Sequence, residues 1–221
     1  MVLNTLKIAG VCGFASMVLT SCSSNDGAGL TTSWLGPLQG YERVGGENYN
    51  AVFVLRSSKP VAAERILLAP AEITISVNSD LNSITPSAYE RIRRIFADVI
   101  AREFSKQPNK TSNASGAYVV RITLTNLTAK RIDKDVGANS LADLRFSFES
   151  AAIEVELRNQ QTNTRNAVVV LPARAKTVTA SGLPQTLTKL SQRVWVGISE
   201  ARAELSRRAA TPAAIAPTEK K

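Results

Sequence analysis

The chain has 221 residues, with 27 Lys and Arg against 18 Asp and Glu, a formal charge of +9 and no histidine. That composition excludes Ser-His-Asp and Cys-His catalysis, histidine acid/base chemistry and histidine-ligated zinc or iron. The two cysteines, Cys12 and Cys22, both precede the body of the chain, so the body carries no disulfide and must be stabilised by a packed core.

In chain order, Lys7 is followed by an apolar run over residues 8–19 and then by small residues. A basic start, a short apolar stretch and small residues make a secretory signal. The stretch is too short to cross a bilayer of ~30 Å as a helix. The run Leu19-Thr20-Ser21-Cys22 resembles the lipobox of bacterial lipoproteins. The resemblance implies cleavage between Ser21 and Cys22 and acylation of Cys22; two acyl chains hold a protein to a membrane stably. Ser23 stands where Asp commonly marks inner-membrane retention in Gram-negative lipoproteins, so the resemblance implies the outer membrane, with the body facing the periplasm. Residues 1–21 carry one basic residue, Lys7, and no acidic one, leaving a formal charge of about +8. In that compartment the excess points to anionic envelope polymers and lipid head groups, not nucleic acid. The plain alternative is a solvated surface that is merely basic.

Residues 22–33 are small and polar and read as a flexible tether. Trp34, Leu35 and Tyr41 begin apolar contact, with a turn at Gly36-Pro37. Residues 42–60 read as irregular apart from a short strand over 51–55. Gly45-Gly46 follows no expected strand and opens no helix, so it is not read as a phosphate loop. Strands are expected over 65–68 and 72–77, where Ile73, Ile75 and Val77 alternate with Thr74 and Ser76. Pro70 between them calls for an edge or a break.

Thr85-Pro86 supplies an N-cap and a proline in the first turn of a helix. Tyr89, Ile92, Ile95, Phe96, Val99 and Ile100 share its inner face, and Arg91, Arg94, Asp98 and Arg102 a solvated one. The helix ends near Ser105, before Pro108, and a polar loop spans 106–116. A strand follows over 117–127, then a charged, irregular stretch over 129–145. The next strand, 146–158, places Ile153, Val155 and Leu157 inward and Glu154, Glu156 and Arg158 outward. A polar turn at 159–166 leads to an antiparallel strand over 167–171. A second helix spans 184–208 with Leu187, Leu190, Val194, Ile198, Ala201 and Leu205 inward. From residue 209 the composition is that of a disordered tail.

Two surface candidates emerge. Glu154 and Glu156 share a strand face, but a glycosidase sets its two carboxyls about 5–9.5 Å apart, usually on different elements around a cleft. The pair is therefore read as solvated. Trp195 and Val196 lie off the inner stripe of the second helix, as a candidate partner surface; the alternative is cover by a loop such as 34–41. No catalytic, cofactor or metal residue is assigned.

The lipobox at Cys22, the opening from Trp34-Leu35 to Tyr41, the strand region 66–77, the helix from Pro86, the strands over 119–127 and 152–157 and the closing helix together resemble the bacterial lipoprotein family known as domain of unknown function 3313. The resemblance implies location and architecture, and no chemistry. Residues 129–145 depart from it, being shorter and more charged than expected of that family.

The expected fold is one α+β domain over 34–208: a mostly antiparallel sheet of about four strands, with two amphipathic helices on one face. The expected function is that of a lipid-anchored, periplasm-facing, non-enzymatic interaction or accessory protein. Its partners would be the bilayer, through acylated Cys22, and envelope proteins or anionic envelope polymers. The alternatives are a carrier of an apolar ligand and a carboxylate-based glycan or peptidoglycan hydrolase.

Overall fold

The computed structural model describes residues 31–46, 51–56, 64–75, 84–112, 117–132, 141–174 and 177–211. The signal, Cys22, most of the tether and the tail from 212 lie outside them. In chain order the elements are β1 (Thr31–Thr32), β2 (Gly36–Pro37), β3 (Tyr41–Gly45), β4 (Ala51–Leu55), β5 (Ile66–Leu68), β6 (Glu72–Ile75), α1 (Pro86–Ser105), β7 (Tyr118–Arg131), β8 (Leu144–Ser147), β9 (Ala152–Asn159), β10 (Arg165–Pro172), β11 (Val178–Thr179) and α2 (Leu183–Ala210). A 3-10 turn at Leu141–Asp143 leads into β8.

The start of α1 follows from its sequence. Thr85 keeps extended backbone, and its Oγ1 accepts a hydrogen bond from the Ala88 amide at 3.2 Å. Pro86 sits in the first turn, where its missing N–H costs nothing. α2 starts after Gly182 with no side-chain cap, and Pro184 again occupies the first turn.

The main sheet runs β11-β8-β7-β9-β10-β4-β3, and β5 and β6 both add to β7. Among the described residues it therefore has nine strands, which corrects the expectation of about four. The path itself is antiparallel; β5 and β6 lie parallel to β7, with α1 as the crossover. The missed strands are short or bent. β11, of two residues, is too short to display a period of two, whereas β5 falls on the strand expected over 65–68. The stretch at 42–46 hides a strand because β3 contains an irregularity between Arg43 and Gly45. Gly45-Gly46 thus does close a strand, and the next element among the described residues is β4, not a helix.

Pro70 has the expected effect. It separates β5 from β6 along one edge of β7, and the Ala69 amide still reaches the Val120 carbonyl at 2.9 Å. The strand expected over 146–158 is likewise two strands, β8 and β9, with Phe148 and Ala151 buried in the break between them.

β7 sets the two faces. Ile122 and Leu124 are buried beneath the helices, while Thr123 and Thr125 point the other way. Asn126 then takes a left-handed φ of 55°, a region Asn tolerates better than other residues with a side chain. The alternation slips by one, so Leu127 and Ala129 return to the helix side. Beyond this bulge β7 leaves β9 and pairs with β8.

Both helices pack on one face, as expected. Ile92, Phe96, Val99 and Ile100 of α1 and Leu187, Leu190, Val194, Ile198, Ala201 and Leu205 of α2 are all buried in the principal core. The opposite face is not open. A hook of residues 31–41 folds back over it, and Leu35, Leu38 and Tyr41 close a second, smaller core with Phe53 and Val168. β1 and β2 belong to the hook, so residues 31–33, read from the sequence as tether, take part in it.

Candidate functional site

The hook meets the sheet at Glu154, and here the sequence reading is corrected. Glu154 and Glu156 are buried, at 2% and 3% exposure, not solvated. Alternation assigned both to the second face correctly, but could not show that the hook covers that face. Glu154 projects from β9 beneath the turn at 33–35. Its Oε1 accepts from the Ser33 amide at 3.0 Å and from Thr125 Oγ1 at 3.0 Å; its Oε2 accepts from the Trp34 and Leu35 amides, each at 2.9 Å. Three successive backbone N–H groups converging on one carboxylate form an anion nest. Here the anion belongs to the same chain. A buried carboxylate would otherwise be costly, and these bonds compensate it.

Glu156 is held differently. Arg121 Nη1 donates to its Oε1 at 3.0 Å, and Arg158 Nη2 to its Oε2 at 2.9 Å. The Arg121 guanidinium also lies 5.5 Å from the Trp34 ring centroid, so the cation that neutralises Glu156 packs on the hook as well. Both carboxylates are thus engaged in holding structure. At the far end of the hook, Tyr41 Oη donates to the Arg165 carbonyl at 2.7 Å and accepts from Arg165 Nε at 2.8 Å. Arg165 Nη1 donates to the Leu35 carbonyl at 2.7 Å. Near the start, Asn126 Nδ2 donates to Ser33 Oγ at 2.6 Å.

The candidate surface at Trp195 and Val196 divides. Trp195 is 4% exposed and belongs to the principal core, its ring 5.7 Å from that of Phe104 on α1. It is core, which corrects the expectation of an exposed aromatic. The cover comes from α1 rather than from residues 34–41: a side chain at the edge of one helix stripe is buried when a second helix packs alongside. Val196 is 56% exposed. A single exposed aliphatic side chain is ordinary on a soluble surface.

Charge is also organised where β3 meets the end of α2. Arg208 Nε donates to Glu204 at 2.7 Å, and Arg208 also bonds Glu42 on β3. The Arg207 hydrogen bond, with help from Arg208, holds the Glu204 carboxyl down at about 2 against the opposing effect of burial. On the hook face, β7 and β8 line a cavity of about 580 Å³ with Thr128, Lys130, Arg145 and Ser147. The sequence passed over this cluster because residues 129–145 read as irregular; the signal available was the basic run Lys130-Arg131.

No family model matches the chain, and no curated protein does. Solved structures match at low similarity. One is a neuraminyllactose-binding hemagglutinin homologue from Helicobacter pylori, 10% identical, with a TM-score of 0.38 over 67% of this chain and 90% of that one. A second is the PelC dodecamer from Paraburkholderia phytofirmans, 13% identical, with a TM-score of 0.32 over 67% of this chain and 96% of that one. A third is a protein from Xanthomonas campestris of the family called domain of unknown function 330, 11% identical, with a TM-score of 0.35 over 69% and 92%. At these values none carries an argument about this chain.

Proposed function

We propose that the protein is a lipid-anchored envelope lipoprotein whose body faces the periplasm and acts as a non-enzymatic interaction or accessory module, of the general kind represented by the family it resembles. One observation carries the reading: the apolar run over 8–19 closes on Leu19-Thr20-Ser21-Cys22. The layout of the body supports it. The segment after the tether runs straight into the hook, and the hook is fastened to the sheet through Glu154, Arg165 and Asn126. A pull on an anchor at Cys22 is therefore received by hydrogen bonds to the sheet, the Leu35–Glu154 bond among them buried.

Metabolic labelling with a fatty-acid analogue, combined with membrane fractionation, tests the anchor. Parent protein should carry label and sediment with membranes. Cys22→Ser should lose the label, because the thiol is the acylation point. Equal labelling of the two proteins would overturn the reading.

A further inference from the structure

The strand pair β7–β8 places like charges opposite each other. In its register Lys130 faces Arg145, and Thr128 faces Ser147. Directly opposed residues lie about 5 Å apart, and successive same-face residues about 7 Å apart. Two cations and two hydroxyls thus occupy the corners of a small rectangle. Like charges in direct cross-strand opposition are destabilising. Four arginines elsewhere share carboxylates: Arg121 and Arg158 share Glu156, and Arg207 and Arg208 share Glu204. Among the described residues neither Lys130 nor Arg145 makes an ion pair. Of the described side chains lining this cavity, Glu149 is the one carboxylate, against the opposed cations Lys130 and Arg145. The rim carries Ile132, 48% exposed, beside the cations.

The position of the rectangle matters as much as its charge. Leu127, Ala129, Leu144 and Phe146 are buried on the helix side, so Thr128, Lys130, Arg145 and Ser147 point to the hook side. The start of the hook is bonded to Asn126, two residues before Thr128. Ser33, two residues after the first described residue, is therefore held on the same face as the cations. Residues 23–30 separate Cys22 from Thr31, a reach of at most about 30 Å even when extended. A bilayer holding Cys22 lies within range of this face.

We infer that the Thr128–Lys130–Arg145–Ser147 rectangle is a docking site for the phosphate groups of an anionic membrane surface, the same membrane that holds the anchor. The cations neutralise the phosphate, the hydroxyls donate to its oxygens, and Ile132 meets the apolar margin of the head-group layer. The inference rests on the lipid-anchor reading for which membrane is met, but the site can be tested separately.

The experiment uses the protein as isolated from cells, in vesicles of phosphatidylcholine with or without about one third phosphatidylglycerol, at equal ionic strength. A water-soluble amine reagent reports the reactivity of Lys130, with the exposed Lys189 of α2 as reference. Lys130 should be protected relative to Lys189 only when phosphatidylglycerol is present. Arg145→Gln, which keeps the reporter, should weaken that protection about fivefold, the share of one basic residue near an anionic surface. The variant should melt no lower than the parent, because it removes a like-charge pair. Three results would overturn the inference: no protection of Lys130, equal protection of Lys130 and Lys189, or full protection by free inorganic phosphate with phosphatidylcholine alone. Acylation of Cys22 is read by the fatty-acid label. A chain that lacked it would still show Lys130 protection at high lipid, so failure of the anchor and failure of the site are distinct outcomes.

Discussion

On one face of the sheet, helices of 20 and 28 residues press Phe96, Ile100, Val194 and Ile198 onto the strands. On the other, the hook offers Leu35, Leu38 and Tyr41 against Phe53 and Val168. Apolar burial is non-directional and scales with area, at roughly 25 cal/mol per Å². The helices bring enough area to hold themselves in place. The hook brings little, and polar contacts fix its register instead: four hydrogen bonds on the buried Glu154, the Tyr41–Arg165 pair and Arg121 against Trp34. The two faces should therefore fail differently. Loss of packing under the helices should unfold the whole molecule, whereas loss of the clamp should free one segment.

The largest effect should come from the helix face. Phe96 is fully buried, and Phe96→Ala should cost about 3–5 kcal/mol, since a packed helix cannot leave its cavity without global unfolding. Thermal and denaturant melts read this as one cooperative loss. A melting temperature within a degree or two of the parent would show that the helix face is not the dominant core.

Glu154→Ala should cost less globally. Each orphaned buried N–H costs ~1–3 kcal/mol, but the hook can detach and rehydrate its amides, which caps the loss at the hook's own docking energy. The expected result is a drop of about 2 kcal/mol together with new proteolytic cleavage near residues 31–41. A global loss as large as that of Phe96→Ala, without cleavage in the hook, would erase the distinction between the faces. The smallest effect should be that of Tyr41→Phe, which removes one donor and one acceptor at Arg165 and should cost about 1 kcal/mol in a denaturant melt. A loss several times larger would mean that this end of the hook, not Glu154, is the main fastening.

How far the sequence carried this contrast follows from what period and capping report. α1 was legible to within a residue because Thr85, Pro86 and the stripe through Ile92, Phe96 and Val99 agree with one another. The inner stripe of α2 was legible for the same reason. Alternation along β9 placed Glu154 and Glu156 on the face away from the helices, where they are. What covers that face depends on a segment about 120 residues earlier, and no local pattern encodes so distant a contact. Trp195 was misjudged because a helical wheel shows one helix and not the neighbour that brings Phe104 beside it. The basic rectangle was hidden because the bulge at Asn126 resets the alternation of β7, after which a simple period no longer tells which side chains share a face.

Amide hydrogen exchange at Ser33, Trp34 and Leu35 tests the clamp most directly, since these three N–H groups all bond Glu154. In the parent they should be protected. In Glu154→Ala they should exchange at least tenfold faster, equivalent to about 1.4 kcal/mol, while the amides of Ile100 and Ile198 in the helices keep their protection. Unchanged exchange at residues 33–35, or an equal rise in the hook and in both helices, would contradict the account.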